Sequence, residues 1–205
     1  MEYRTVRERA EDFFLEKRSR FIGSIAPAQT EEEALRFLTE IRSEHPQARH
    51  HVYAYRLRER NTTRFSDAGE PSGTGGAPVL GVLQKEGLTD VVLVVTRYFG
   101  GTLLGAGGLT RAYAHAAKLA VDKASIRVMR LCASVRVSCP YALYDRLAAA
   151  LSDAALSDPV FTDSVSFSLT APADELPRLC ERVRALSAGK AQISPGEEKF
   201  AEFAK

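Results

Sequence analysis

The sequence predicts a two-domain α+β protein, and three observations support that prediction. The most apolar short run, Val91–Val95, is typical of a buried strand, and a glycine-bearing loop and an amphipathic helix over Leu109–Ala124 follow it. Residues 131–205 follow the order strand, helix, strand, strand, helix, strand, which is the ferredoxin-like βαββαβ arrangement. At 205 residues with 45% hydrophobic content, the chain can bury the cores of one or two domains. We therefore expect domains at 1–130 and 131–205.

The first domain is predicted to begin with short strands. Alternating patterns indicate strands at Tyr3–Thr5, Phe13–Leu15, Phe21–Ile25 and Val52–Leu57, with residues 17–20 as the turn before the third. Thr30 and Glu33 form a capping box, in which each side chain binds a free main-chain NH at a helix start. The helix is expected to end near Glu44, before Pro46, and to bury Leu35, Leu38 and Ile41.

A polar loop at Asn61–Gly76 precedes the next predicted helix, which spans about Ala77–Glu86. The loop carries turn residues, two carboxylates (Asp67 and Glu70) and several hydroxyls. Pro78 suits the first turn of a helix, because main-chain NH groups there have no intrahelical acceptor and proline lacks an NH. A polar, glycine-rich loop therefore leads into a helix twice in this half of the chain, and the two loops would form one groove if they met at the same sheet edge.

The glycine loop within Thr96–Arg111 is the central candidate site. It has five glycines in nine residues, 100–108, so its main chain can adopt positive φ and approach another group closely. Arg97 and Arg111 place positive charge at its two ends. Free amides at a helix start combined with guanidinium groups form a plausible anion site. A tight structural connection packed against neighbouring main chain is an equal alternative. The loop matches neither the Walker pattern nor the dinucleotide fingerprint.

The helix after this loop is predicted to have two faces. Leu109, Tyr113, Ala116 and Ala120 follow the spacing of a core face. Arg111, His115, Lys118 and Asp122 repeat that spacing on the far side, so Lys118 could extend the positive surface away from the loop. An ordinary solvated face is the favoured interpretation of this second pattern.

In the second domain we expect strands at Leu131–Ser138, near Val160–Phe161, at Val165–Leu169 and near Ala191–Ile193. Helices are expected over Pro140–Leu151 and Glu175–Leu186, the latter with Gly189 as its C-cap.

Charge and composition restrict the class of protein. Net charge is +2; residues 1–130 hold 20 basic and 16 acidic residues (+4), and residues 131–205 hold 8 and 10 (−2). An acidic partner would therefore meet the first half. Cys132, Cys139 and Cys180 lie in apolar contexts and are interpreted as buried thiols of a cytoplasmic protein. The sequence has no apolar run of 18 residues, so we expect no membrane contact.

Catalytic arrangements are weakly indicated. Asp67 and Glu70 could form an acid–base pair or hold Mg²⁺, but they could also cap the loop and the next helix. Ser72 and Thr74 lack the context of an activated nucleophile. His50 and His51 would face opposite sides of a strand and so could not share a metal. We expect no catalytic residue, no metal and no cofactor.

Three motifs resemble the signature of the IMPACT family, in particular its bacterial, YigZ-like members. They are residues 64–74 (RFSDAGEPSGT), 94–101 (VVTRYFGG) and 104–109 (LGAGGL), with further similarity at 17–22 and 50–55. The resemblance implies a ribosomal-protein-like first domain, an α/β sandwich with helices on one face of a mixed sheet, similar to the fourth domain of elongation factor G. It implies a second domain similar to the fifth domain of that factor.

The same resemblance implies a translation-associated regulator, because eukaryotic relatives regulate translation and bacterial members are usually inferred to contact nucleic acid or the ribosome. We therefore expect RNA or the ribosome, and a protein partner in translation control, as partners. Two alternatives stay open: a metal-dependent enzyme acting on a small phosphorylated substrate through Asp67 and Glu70, and a protein–protein adaptor. The expected ligand-binding residues, for RNA or phosphate, are Arg64, Asp67, Glu70, Ser72, Thr74, Arg97, Gly100, Gly101, Gly105, Gly107, Gly108, Arg111 and Lys118.

Overall fold

The computed structural model describes residues 1–152 and 154–202, and in these it contains ten strands and five helices. The strands are β1 Glu2–Val6, β2 Ala10–Glu16, β3 Ser19–Pro27, β4 His50–Arg56, β5 Thr63–Ser66, β6 Val91–Tyr98, β7 Ile126–Cys139, β8 Ala155–Phe161, β9 Val165–Pro172 and β10 Gln192–Glu202. The helices are α1 Glu31–Glu44, α2 Gly76–Lys85, α3 Ala106–Lys123, α4 Tyr141–Ala150 and α5 Leu176–Leu186. The α+β class is confirmed.

The chain divides into two compact units. The first unit is Tyr3–Val128, and the second comprises Met1–Glu2 and the chain from Met129 onward. This division falls two residues before the predicted domain boundary at 130/131, and residues 203–205 of the predicted second domain lie outside the described part of the chain.

The first unit contains a five-stranded sheet in the order β2-β3-β6-β4-β5. All four pairings are antiparallel. The predicted mixed sheet therefore differs from the structure in this detail. The reason is that β6 lies between β3 and β4: these two strands run parallel to each other, but neither is the other's neighbour.

The predicted buried strand at Val91–Val95 is confirmed as the start of β6, which continues to Tyr98 and so includes Thr96 and Arg97. Alternate β6 side chains are buried on opposite faces of the sheet. Leu93 packs in a core with α2 and α3, and Val94 packs in a second core with α1. The expected placement of the helices on one face is therefore wrong, because apolar residues on both sides of β6 require a cover on each side.

Helix α1 starts as predicted, with Thr30 as its N-cap accepting a hydrogen bond from the Glu33 main-chain NH at 3.2 Å. Its inward face differs from the prediction. Leu35 is 43% exposed, whereas the buried positions are Ala34, Phe37, Leu38 and Ile41. Leu38 and Ile41 are buried as predicted, and Ala34 and Phe37 complete the helical stripe in place of Leu35.

Helix α3 starts at Ala106, three residues before the predicted Leu109, so Gly107 and Gly108 lie in its first turn. Its predicted core face is confirmed: Leu109, Tyr113, Ala116 and Ala120 are buried. The helix packs closely on β3, since a Cβ atom added at Gly23 would lie 2.3 Å from the Ala116 carbonyl oxygen.

The second unit has the predicted βαββαβ order, β7-α4-β8-β9-α5-β10. Its strands pair in the order β10-β7-β9-β8, all antiparallel. Helices α4 and α5 contribute Leu147 and Val183 to its core. Cys132 and Cys139 are buried free thiols, as predicted, while Cys180 is half-buried. Within the described residues, no helix combines the length and the apolar character needed to cross a membrane.

Candidate anion-binding site

A buried ion pair joins the two loops that the sequence singles out. The Glu70 Oε1 atom accepts hydrogen bonds from Arg97 Nη1 and from the Tyr113 hydroxyl, each at 2.7 Å. The side chains of Arg97 and Glu70 are only 6% and 4% exposed. Burial raises the pKa of Tyr113, and the bond to Glu70 raises it further, so the hydroxyl remains a donor. The predicted loop at 61–76 contains strand β5, and the structure brings its remaining part, residues 67–75, to the end of β6 and to α3.

This pair changes the interpretation of Arg97. The position of Arg97 in the sequence predicts an accessible cation that binds phosphate, but its guanidinium group is buried and one of its NH₂ groups is bound to Glu70. Its charge is therefore largely balanced inside the protein. An incoming anion would have to be attracted mainly by other groups.

Asp67 holds the amides at the start of α2. Its carboxylate accepts hydrogen bonds from the main-chain NH groups of Gly73 (2.9 Å), Gly75 (2.9 Å) and Gly76 (2.8 Å). Burial raises the pKa of Asp67, but the three NH groups outweigh that effect and hold the pKa below its usual value. Asp67 therefore serves as the cap that the sequence analysis considers, whereas Glu70 pairs with Arg97 instead. Both carboxylates of the enzyme hypothesis are engaged internally.

We expect Asp67→Ala to lower the free energy of unfolding by roughly 1–2 kcal/mol at pH 7, the usual cost of losing a helix cap. Because the folded-state pKa lies below the unfolded value of about 3.9, the unfolded chain binds the proton more readily. The stabilisation is therefore present above the unfolded pKa and is lost as the pH falls through the folded pKa. Urea unfolding from pH 7 to pH 3 should show the two proteins converging; a constant difference would contradict this account.

Among the described residues, no carboxylate accepts hydrogen bonds from the first NH groups of α3 as Asp67 does at α2. The N-cap of α3 is Gly105, at φ +72°, a conformation that glycine adopts without strain. Because glycine has no side chain, the N-cap residue itself cannot bind the first NH groups of the helix. Helical geometry leaves the NH groups of Ala106, Gly107 and Gly108 without intrahelical acceptors. Together with the helix dipole, these NH groups favour a negatively charged ligand.

Arg111 lies one turn further along α3 and is exposed. In the part of the chain that the structure describes, it forms no ion pair. It lines a cleft of about 200 Å³ together with Gly108, His115, Phe14 and Glu16. Glu16 is the acidic member of this lining, so the cleft is positively charged at the α3 side only.

The other predicted ligand residues have varied surroundings. Arg64 lies opposite Tyr55 in the β4–β5 pair, on the α1 side of the sheet, so it shares no groove with Arg97 or Arg111. Lys118 pairs with Glu86 at 3.3 Å and with Asp122, which compensates its charge.

Two hydroxyls and two glycines complete the predicted set. Thr74 is buried and its hydroxyl donates to the Pro71 carbonyl oxygen at 2.7 Å, whereas Ser72 is exposed. A Cβ atom at Gly100 would lie 2.0 Å from the Arg18 carbonyl carbon, and the Gly100 NH donates to Ser19 Oγ at 3.1 Å. Gly101 has φ +82° and is exposed. Gly100 is thus a packing residue at the base of the loop.

The sequence analysis does not identify a second cleft, of about 500 Å³, beside the loop. Phe99 and Leu103 line it, and they are 55% and 83% exposed. Arg49 and His50 line its opposite side. The available signal is that two large apolar residues fall within a polar, glycine-rich loop, where burial in the domain core is not expected.

The histidines are placed as predicted. His50 is half-buried, with Nδ1 3.0 Å from the Ala68 carbonyl oxygen, and His51 is buried on the other side of β4, with Nδ1 3.1 Å from Thr96 Oγ1. Burial lowers the pKa of His51, so its ring stays neutral.

Comparison with known proteins gives similarity over both units. The Impact N-terminal domain family matches residues 17–121, and a domain of unknown function, DUF1949, matches residues 137–190. The chain is 34% identical to "IMPACT family member YvyE" of Bacillus subtilis over 205 residues, covering 98% of this chain and 94% of the relative. It is 32% identical to "IMPACT family member YigZ" of Escherichia coli over 187 residues (89% and 92%). A solved structure titled "Crystal structure of an hypothetical protein" superimposes with a TM-score of 0.63 at 29% identity, covering 97% of this chain and 98% of that one.

Proposed function

This chain belongs to the IMPACT family, and from that premise we propose that it is a cytoplasmic, translation-associated regulator that binds RNA, alone or in the ribosome, through the start of α3. The observation that carries the proposal is the contrast between the two helix starts. At α2, the Asp67 carboxylate occupies the NH groups. At α3, the hydrogen bonds of the described residues bring no carboxylate to the first NH groups, and Arg111 lines a cleft with Gly108 of the same helix, whereas Glu16 lines it from β2.

Charge supports a polyanionic ligand for this unit. Residues 1–130 carry a net charge of +4, whereas residues 131–205 carry −2. Because Arg97 is balanced by Glu70 and Lys118 by Glu86 and Asp122, the binding determinants are the α3 amides and Arg111. Phosphate groups of RNA are bound in proteins by this combination of main-chain NH groups and guanidinium.

The proposal predicts salt-dependent binding of a single-stranded RNA oligonucleotide, measured by fluorescence anisotropy. Each phosphate neutralised contributes about −0.7 to the slope of log K against log[salt]. Arg111→Ala should weaken binding roughly 5- to 10-fold, the effect of losing about 1–1.4 kcal/mol, and should make the slope shallower by about 0.7.

Lys123→Ala is the matched control, because Lys123 is an exposed cation in the last turn of the same helix. It should leave both the affinity and the slope unchanged. Binding that does not vary with salt, or equal losses in the two variants, would contradict a site at the α3 start. If neither RNA nor inorganic phosphate binds, a protein–protein adaptor explains the protein better. Metal-dependent turnover of a small phosphorylated substrate, lost in Asp67→Asn, would favour an enzyme.

A further inference from the structure

The loop between β6 and α3, residues 99–105, presents apolar side chains to solvent beside a cleft. Phe99 is 55% exposed and Leu103 is 83% exposed. They line the cleft of about 500 Å³ described above. Exposed apolar groups gathered at a concave surface usually mark a place that another molecule covers.

The Arg97 guanidinium group lies against the Phe99 ring. The Arg97 Cζ atom lies 5.4 Å from the centre of the Phe99 ring and 5.3 Å from that of Phe21, close enough for cation–π attraction to both. The bond to Glu70 fixes the guanidinium group in turn. Phe99 is therefore an aromatic ring held against a fixed cation, with more than half of its surface open.

Arg97 also retains an unused donor. It is 6% exposed and lines the cleft, and within the described residues its Nε atom is buried without a hydrogen-bond partner. A buried NH without an acceptor is costly, and native structures rarely leave one. An acceptor supplied by a bound molecule would satisfy it.

The lining of the cleft selects the chemistry of that molecule. Its lining residues with polar groups are Gln47, Arg49, His50, Arg97 and Tyr98. None of the described residues that line it is acidic. The Glu70 carboxylate, which pairs with Arg97, also accepts a hydrogen bond from the Tyr113 hydroxyl. The cleft thus combines an aromatic surface, positive charge and an amide that can both donate and accept hydrogen bonds.

A flat, negatively charged ligand with hydrogen-bonding edges satisfies all these features, and a nucleotide is such a ligand. An acidic peptide would match the charge but would leave the aromatic ring without a flat partner. In an RNA duplex the bases are stacked on one another, whereas in a single strand they are free to stack on a protein aromatic ring.

We propose that this cleft receives an unpaired RNA base, stacked on Phe99, from a strand whose phosphate is bound at the start of α3. The inference rests on the proposed function and specifies its ligand as single-stranded RNA. Phe99 and the Gly105 N-cap are the two ends of the same seven-residue connection between β6 and α3, and in this binding mode one RNA strand contacts both. Arg49 and the free Arg97 Nε supply donors around the base and its sugar–phosphate.

The absence of tryptophan from the sequence makes a direct test available. Phe99→Trp creates a protein with one tryptophan, whose fluorescence should be quenched when a base stacks on it. The probes are single-stranded RNA, a duplex of the same length and an abasic oligonucleotide of the same length. Quenching by the single strand alone is expected. Phe161→Trp, at a position 54% exposed in the second unit, is the control and should not be quenched.

The affinity of Phe99→Ala provides a second measurement. Loss of one stacked base should weaken binding of the single strand roughly 5- to 100-fold and leave duplex binding nearly unchanged. Phe99→Tyr, which keeps the ring, should bind as the original protein does. Anisotropy that shows RNA binding without quenching, or equal quenching by the abasic strand, would overturn the stacking site while leaving the proposed function intact. No RNA binding in any of these proteins would instead overturn the proposed function.

Discussion

Replacing Glu70 by alanine is expected to lower the free energy of unfolding by about 3–5 kcal/mol, the typical cost of removing one partner from a buried ion pair. Glu70 is the only acceptor recorded for Arg97 Nη1 and for the Tyr113 hydroxyl among the described residues. Its loss would leave the Arg97 charge buried without compensation and a core hydroxyl without a partner. Urea unfolding at pH 7, followed by circular dichroism, measures the change.

Two variants separate the charge from the packing at this position. Glu40→Ala removes an exposed carboxylate from α1 and should change stability by less than about 0.5 kcal/mol. In the Glu70→Gln, Arg97→Met double variant both charges are gone, so much of the lost stability should return. If Glu70→Ala unfolds at the same urea concentration as Glu40→Ala, the buried contact of Glu70 with Arg97 and Tyr113 does not contribute to stability.

The second large effect is expected at Gly23, where β3 and α3 are in close contact. In Gly23→Ala the added Cβ would lie 2.3 Å from the Ala116 carbonyl oxygen and 3.1 Å from the Ala120 Cβ atom. Real Cβ atoms do not approach a main-chain oxygen so closely, and a helix backbone cannot yield as a side chain can. We expect a loss of roughly 3 kcal/mol, the upper end of the range for overpacked cores.

Gly81→Ala is the matched control for Gly23→Ala. Gly81 lies within α2 and is exposed, and a Cβ atom there would have no neighbour within 4 Å. Since alanine favours the helix over glycine by about 1 kcal/mol, this variant should be slightly more stable than the original protein. A Gly23→Ala protein as stable as the Gly81→Ala protein would show that the sheet and helix are not packed this closely.

Local periodicity explains how much of the fold could be predicted from the sequence. The α3 core stripe and the βαββαβ order are read from neighbouring residues, because side-chain direction follows from a repeat of 3.6 or 2. The order of strands in the first sheet cannot be predicted from local periodicity. That β6 lies between β3 and β4 depends on pairing between segments tens of residues apart, and no local pattern records it.

The candidate site shows the same division. The glycine loop, Arg111 and the capping role of Asp67 were accessible from residue types and their positions before a helix. The pairing of Arg97 with Glu70 was not, because the two residues are 27 positions apart and meet only through the fold. Phe99 was not singled out, because the exposure of one aromatic side chain in a loop depends on how that loop packs, and no local pattern determines it.

Gly100 has a consequence for how fast and how selectively a ligand could be captured. Its main chain is held against the Arg18–Ser19 turn, so the loop is anchored immediately beside the Phe99 ring. A loop already fixed in its working shape loses little conformational freedom when it is occupied, and that entropy would otherwise count against affinity. Association would then need no rearrangement of the loop. Ligands would differ in affinity mainly through their dissociation rates.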